Sequence, residues 1–259
     1  MARTLLRYPG GKSRAVKHLL PFVPGDTTEM CAPFFGGGAL ELACVERGIR
    51  VHGYDVFTPV VYFWQAVLRD PKMLSQMIEV HHPLSGKEKF KHFQTVLSEA
   101  CDTEEEFSFR LAAIFFILNR CSFSGTTLSG GMSEEAAAKR FTISSIDRVR
   151  DFPLKNFAVQ KADFKDSIPC HRDVFLYCDP PYMLKKERNN LYGDKGSAHR
   201  GFDHLALHSL LSSRGNWMLS YNNCPEILEL YKDYEIYYPD WSYGMSQDKD
   251  SKEVLIIAK

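Results

Sequence analysis

The stretch best equipped for chemistry is Asp179-Pro180-Pro181-Tyr182, which follows the apolar run at 174–178 without a break. Two prolines fix φ and remove two N–H donors. What such a corner can aim outward is therefore acceptors, the Asp179 carboxylate and the Pro180 carbonyl, with the Tyr182 ring beside them. Two acceptors next to a stacking ring suit an exocyclic amine on a planar base. The plain alternative is a stiff turn with Asp first and Pro second. Position favours the chemical reading, because open α/β sheets place ligand chemistry at the C-terminal ends of buried strands.

A second set lies upstream. Pro33-Phe34-Phe35-Gly36-Gly37-Gly38 is a glycine-rich turn that lets backbone approach a ligand closely. It is not a G-x-G-x-x-G fingerprint, so a dinucleotide reading is weak. Asp55 ends the next strand, close to the ~20 residues at which such folds place a ribose-binding carboxylate. Further upstream, Arg7-Tyr8-Pro9-Gly10-Gly11-Lys12-Ser13 ends like a phosphate loop, but that motif requires Gly where Leu6 stands.

These residues need an α/β frame, and the patterning supplies one. Residues 28–32 and 49–55 read as strands, 39–47 and 57–68 as helices. Strand signal then almost vanishes from 70 to about 140. Helices are expected at 72–80, 86–100 and 103–120, the last with Thr103 as N-cap and Glu106 at the capping-box position. Alternation resumes with strands expected at 157–160, 174–178, 217–221, 235–238 and 254–258, and helices at 204–213 and 225–232. The expectation is an open α/β domain formed by 1–69 and 141–259, with a helical insertion at 70–140.

Together these motifs resemble the S-adenosylmethionine-dependent DNA adenine methylases of the Dam type, the D12 class. The family carries D-P-P-Y after a sheet strand, an aromatic-x-G-G-K opening matched by Tyr8 to Lys12, and P-F-x-G-x-G matched by Pro33 to Gly38. Softer matches are Ala162-Asp163-Phe164, Leu219 to Asn223, and Ser251 to Ile256. The resemblance implies a Rossmann-like methyltransferase fold and gives the helical insertion at 70–140 the role of DNA target recognition. It also implies transfer of a methyl group from S-adenosyl-L-methionine, leaving S-adenosyl-L-homocysteine, to N6 of an adenine flipped out of double-stranded DNA. Asp179, Pro180, Pro181 and Tyr182 would be catalytic. Tyr8, Gly11, Lys12, Pro33, Phe34, Gly36, Gly38, Asp55, Asp163, Phe164 and Asp179 would contact the cofactor. Cytosine N4, an RNA base, or a silent DNA-binding role are the alternatives, since related tetrapeptides occur on other amino-methylating enzymes.

For DNA, Asn119-Arg120-Cys121-Ser122-Phe123-Ser124-Gly125 resembles the family's N-R-x-x-x-N-G stretch, with Ser124 where the family has Asn. The Arg-containing continuation that reads guanine in GATC-type enzymes is Thr-Thr-Leu-Ser at 126–129 here. An Arg fork is the commonest guanine reader, so GATC specificity is not expected. A helix-terminal charge on the dipole is the plain reading of Arg120. After the catalytic corner, Lys185, Lys186, Arg188, Lys195 and Arg200 interleave with Tyr192, His199 and Phe202, a mixture suited to phosphates and an extruded base. Asn119, Arg120, Ser124, Lys185, Lys186, Arg188 and Arg200 are therefore the expected DNA contacts.

Composition sets the limits. The chain has 259 residues, 32 Lys+Arg against 32 Asp+Glu, 44% hydrophobic and 25% charged residues. It is an ordinary globular chain and not a bulk polycation; any nucleic-acid surface must be local. Seven cysteines lack zinc spacing and suit reduced thiols in the cytoplasm of a bacterial or phage-infected cell. Pro169-Cys170 precedes the catalytic strand, so a cytosine-C5 nucleophile is disfavoured. No metal and no membrane partner are expected, and the chain should act as a monomer or as a dimer on DNA.

Overall fold

The computed structural model describes residues 4–102, 106–153, 155–183, 201–239 and 253–258. The N-terminal segment makes two 3-10 turns, Lys12–Arg14 and Leu20–Phe22, on either side of α1 (Val16–Leu19). The sheet half then opens with β1 (Glu29–Ala32), α2 (Ala39–Glu46), β2 (Arg50–Asp55) and α3 (Thr58–Arg69). A helical run follows: α4 (Pro71–Glu79), α5 (Lys87–Asp102), α6 (Phe109–Cys121), α7 (Glu134–Arg140) and α8 (Ile143–Arg150). The chain returns through β3 (Phe157–Lys161), α9 (Phe164–Ser167), β4 (Phe175–Cys178), α10 (His204–Ser212), β5 (Trp217–Asn222), α11 (Pro225–Leu230), β6 (Glu235–Tyr237) and β7 (Glu253–Ala258).

The seven strands lie in the order β3-β2-β1-β4-β5-β7-β6. All pairs are parallel except those of β7, which runs antiparallel to β5 and β6. From β1 the chain winds outward to β2 and β3, then returns to place β4 on the other flank of β1. The reversal makes the C-terminal ends of β1 and β4 the topological switch point, where open sheets hold ligands. Every residue of β4 is buried, as expected of a strand covered on both faces. No helix among the described residues is long and apolar enough to cross a membrane.

One correction concerns α6. The helix expected from Thr103 starts at Phe109, with the Ser108 hydroxyl accepting the N–H of Leu111. Residues 106–108 are not helical; the Phe107 ring is held under the Arg69 guanidinium, 4.0 Å away, and edge-on to Tyr62. Helices α7 and α8 had no strong signal. They are short, and α8 is set by a capping box between Thr142 and Ser145. It packs on α4, beyond the boundary expected at 141. Helices of the 70–140 region share one apolar cluster with the sheet: Ile114 to Leu118 lie with Val60, Phe63, Trp64 and Val159. A second cluster, with Leu176, Trp217, Tyr221, Leu207 and Tyr231, fills the opposite face under α10 and α11.

Candidate active site

The glycine turn after β1 is clamped from two elements. Asp55, at the end of β2, accepts the Gly36 N–H at 2.9 Å on one oxygen and the Phe57 N–H at 2.9 Å on the other. Trp64 of α3 donates its indole N–H to the Gly36 carbonyl at 2.9 Å. Gly36 has φ of +45°, and a Cβ there would stand 2.9 Å from the Tyr8 ring, so the turn accepts only glycine. Burial raises Asp55 to about 6, while the N–H groups of Phe57, Gly36 and Val56 hold it down. Phe34 packs against Phe164 and Phe202, with centroids 5.7 Å from each. Asp163 caps α9 by accepting the Lys165 N–H. A buried carboxylate beside a tight turn and an aromatic wall fits a nucleoside, with the diol on Asp55 and the base against the rings.

Across the switch point, the corner after β4 carries Asp179. Its carboxylate is chelated by Lys12, whose Nζ lies 2.7 and 2.8 Å from the two oxygens. Lys12 is only 4% exposed and also donates to the Tyr182 hydroxyl at 2.7 Å and the Gly10 carbonyl at 3.3 Å. The N-terminal cation implied by the resemblance as a cofactor contact thus bonds the corner after β4. Tyr182 in turn bonds Asp179 Oδ1 at 3.2 Å and Glu253 Oε1, and its ring rests on Tyr221 with centroids 5.7 Å apart. Tyr221 is held from the other side by His204 Nδ1. The neighbouring Met183 is fastened by Asn222, which accepts its N–H at 3.1 Å and donates to its carbonyl at 2.8 Å. Burial and the nearby Glu253 push Asp179 up, against the pull of Lys12 and the Tyr182 hydroxyl.

Two carboxylates of this region were not among the expected site residues. Glu253, at the start of β7, is 6% exposed and lies 3.4 Å from Lys12 as well as on Tyr182. It falls inside the final-strand match, but only folding reveals that β7 delivers it to the corner. Glu41, in the first turn of α2, is buried and raised to about 8 by that burial, with Asp179 adding to the shift and Lys12 opposing it. An acidic residue in the first turn of a helix whose only other acid is its last residue, Glu46, is a signal that could have been used.

Of the expected DNA contacts, Asn119 requires correction. It is 1% exposed because its amide is spent inside the molecule, accepting the Arg7 N–H at 2.8 Å and donating to the carbonyls of Arg7 at 2.9 Å and Gly125 at 3.3 Å. Arg120 is half-buried, with Nε on the Arg140 carbonyl, so the helix end it serves is that of α7 and not its own. Ser124 is half-buried with φ of 51°. Gly125 faces the N-terminal segment so closely that a Cβ would lie 1.8 Å from the Arg7 carbonyl. Gln94 of α5 binds the carbonyls of Thr127, Leu128 and Gly130 and closes the following loop. Lys185, Lys186, Arg188, Lys195 and Arg200 lie outside the described residues.

Elsewhere, Cys170 is exposed on a 3-10 turn before β4, and no group of three or more metal-ligating side chains is assembled among the described residues. Two comparisons bear on this geometry. The family profile of D12 class N6 adenine-specific DNA methyltransferases matches residues 8–245. The Type II methyltransferase M1.LlaDCHI of Lactococcus lactis subsp. cremoris is 22% identical over 251 residues, spanning 91% of this chain and 86% of its own.

Proposed function

Because the chain belongs to the D12 class N6 adenine-specific DNA methyltransferases, we propose that it methylates N6 of an adenine extruded from duplex DNA, at the Asp179 corner and with S-adenosylmethionine as donor. The donor supplies an electrophilic methyl group on a sulfonium. Asp55 would hold its ribose hydroxyls, the Gly36–Gly38 turn its approach, and Phe34 and Phe164 its base. Asp179 and the Pro180 carbonyl accept the two N–H protons of the target amine. Its lone pair then points away from both acceptors, and the Asp179 charge offsets the positive charge that develops on N6. Tyr182 faces the extruded base, whose unstacking costs a few kcal/mol. The relative's Type II class makes a restriction-modification setting the natural one.

The observation that carries this reading is the chelated Asp179 carboxylate, held 2.7 and 2.8 Å from the Lys12 ammonium at the switch point opposite the Asp55-clamped turn. The Lys12 ammonium and Tyr182 hydroxyl orient the acid and favour its carboxylate form, against the burial that raises it. Asp179→Ala should retain S-adenosylmethionine binding in calorimetry and lose methyl transfer by at least ~100-fold, the order seen when one transition-state partner is removed. Mass spectrometry of nucleosides from treated DNA should show N6-methyladenine with the wild-type chain. Turnover near wild type in Asp179→Ala, or N4-methylcytosine as the product, would refute the assignment.

A further inference from the structure

Helices α4, α5 and the start of α6 border a cavity of about 270 Å³ that shares no residue with the Asp179 corner. Its floor is apolar: Phe93, Ala113 and Ile114 are buried and Met77 is half-buried. Its rim is basic, made by His81 from the turn after α4, His92 of α5 and Arg110 of α6. Phe93 gathers the nitrogens. The His81 ring stands edge-on to it with centroids 5.1 Å apart, the His92 ring is tilted at 6.2 Å, and the Lys89 ammonium lies 5.9 Å from its centroid. Among the described residues, none of these four basic side chains makes a hydrogen bond or an ion pair. Arg110 also stands in the first turn of α6, the positive end of the helix dipole, where an anion is the favoured neighbour. Burial lowers His81, and Lys89 and Arg110 push it the same way with no acid opposing them.

Two imidazoles and the Met77 thioether could ligate a metal, but the fixed guanidinium beside them repels a cation. An oxyanion meets every rim group favourably: the guanidinium fork takes two of its oxygens, and imidazole N–H groups donate to it. The floor adds a requirement, because a bare inorganic anion would leave Phe93 and Ile114 uncovered. Cavities for drug-sized ligands begin at about 300 Å³, so the occupant is smaller than that, one ring or a short chain carrying one oxyanion.

We propose that this cavity binds a small organic anion, its aromatic or short aliphatic body on Phe93 and Ile114 and its carboxylate or phosphate on Arg110, His81 and His92. The site stands apart from methyl transfer and does not depend on that reading. The test is proton NMR of the whole chain, following the imidazole Cε1–H signals of His81 and His92, which are identified by their loss in His81→Gln and His92→Gln. Phenyl phosphate and benzoate are the probes, with inorganic phosphate and phenol as controls. At least one probe should shift both signals saturably and move the His81 titration to higher pH; the tighter of the two identifies the head group. Inorganic phosphate and phenol should each bind at least ~10-fold more weakly, since each lacks one half of the match. Arg110→Gln, at an exposed position, should weaken the probe at least ~10-fold at unchanged melting temperature, as loss of a charge-assisted hydrogen bond requires. His92→Gln, also exposed, carries the same expectation should Arg110→Gln melt lower.

Absence of a saturable shift with both probes overturns the site. Equal affinity for inorganic phosphate does so too, leaving an adventitious ion only, as does wild-type affinity in both Arg110→Gln and His92→Gln. A short DNA duplex that shifts the two signals where neither probe does would reassign this face to nucleic-acid contact and overturn the small-ligand site.

Discussion

Glu253 shows how far one side chain can act through another. It touches Tyr182 and lies 3.4 Å from Lys12, so it orients the corner without facing the amine acceptor directly. Its charge also raises the proton affinity of Asp179. Other groups acting on Asp179 are Lys12 and the Tyr182 hydroxyl, both of which lower it, while Asp179 in turn adds to the burial that raises Glu41 on α2. Glu253→Gln keeps an acceptor for Tyr182 but removes the repulsion. Asp179, whose active form is the carboxylate, then ionises at lower pH, and the acid limb of the kcat profile should move toward lower pH. Glu253→Ala removes the acceptor as well and should lower kcat roughly tenfold, the cost of about one buried hydrogen bond, with little change in KM for the cofactor. A kcat profile identical to wild type in both variants would exclude this positioning role.

At the level of elements, the loop after α6 is the informative one. Ser124 stands in the left-handed region with φ of 51°, next to Gly125, whose missing side chain admits the Arg7 carbonyl. A non-glycine residue held there is strained by about 1 kcal/mol, and Asn tolerates the conformation better than Ser. Ser124→Asn should therefore stabilise the chain by about 0.5 kcal/mol, read as a higher urea midpoint at unchanged slope. A lowered midpoint would mean that the Ser124 hydroxyl supports the loop. The same element ties the loop after α6 to the N-terminal segment, because Asn119 and Gly125 both close on Arg7 and the segment continues into Tyr8 and Lys12. The loop and the N-terminal segment thus seat each other.

For the whole molecule, one apolar cluster spans the sheet face and the helices of 70–140. Leu118 is fully buried within it, so Leu118→Ala should cost about 2–5 kcal/mol through lost burial and a residual cavity. Because the helices have no separate core, helical signal and tryptophan fluorescence should fall together in a single urea transition. Trp64 and Trp217 sit in the two clusters on opposite faces and report on both. Separate transitions would show that the helical region folds as its own unit.

What the chain's own order of residues determined was local chemistry and local geometry. Asp179-Pro180-Pro181-Tyr182 is contiguous, so its acceptors and ring arrive together wherever the strand ends. Gly36 follows β1 and Asp55 ends β2, neighbouring parallel strands whose patterning was legible to within a residue or two. The start of α6 was not, because Phe107 is held outside the helix by contacts from α3. Nor could Lys12, Glu253 and Asp179 be joined on paper, since they are far apart in the chain and β7 reaches the corner only by inserting antiparallel beside β5. Asn119 shows the same limit from the other side: a polar residue at a helix end reads as a surface contact until the fold lays the Arg7 backbone across it. Contiguous motifs travel with the backbone, whereas the charges that tune them are chosen by how the strands and helices pack.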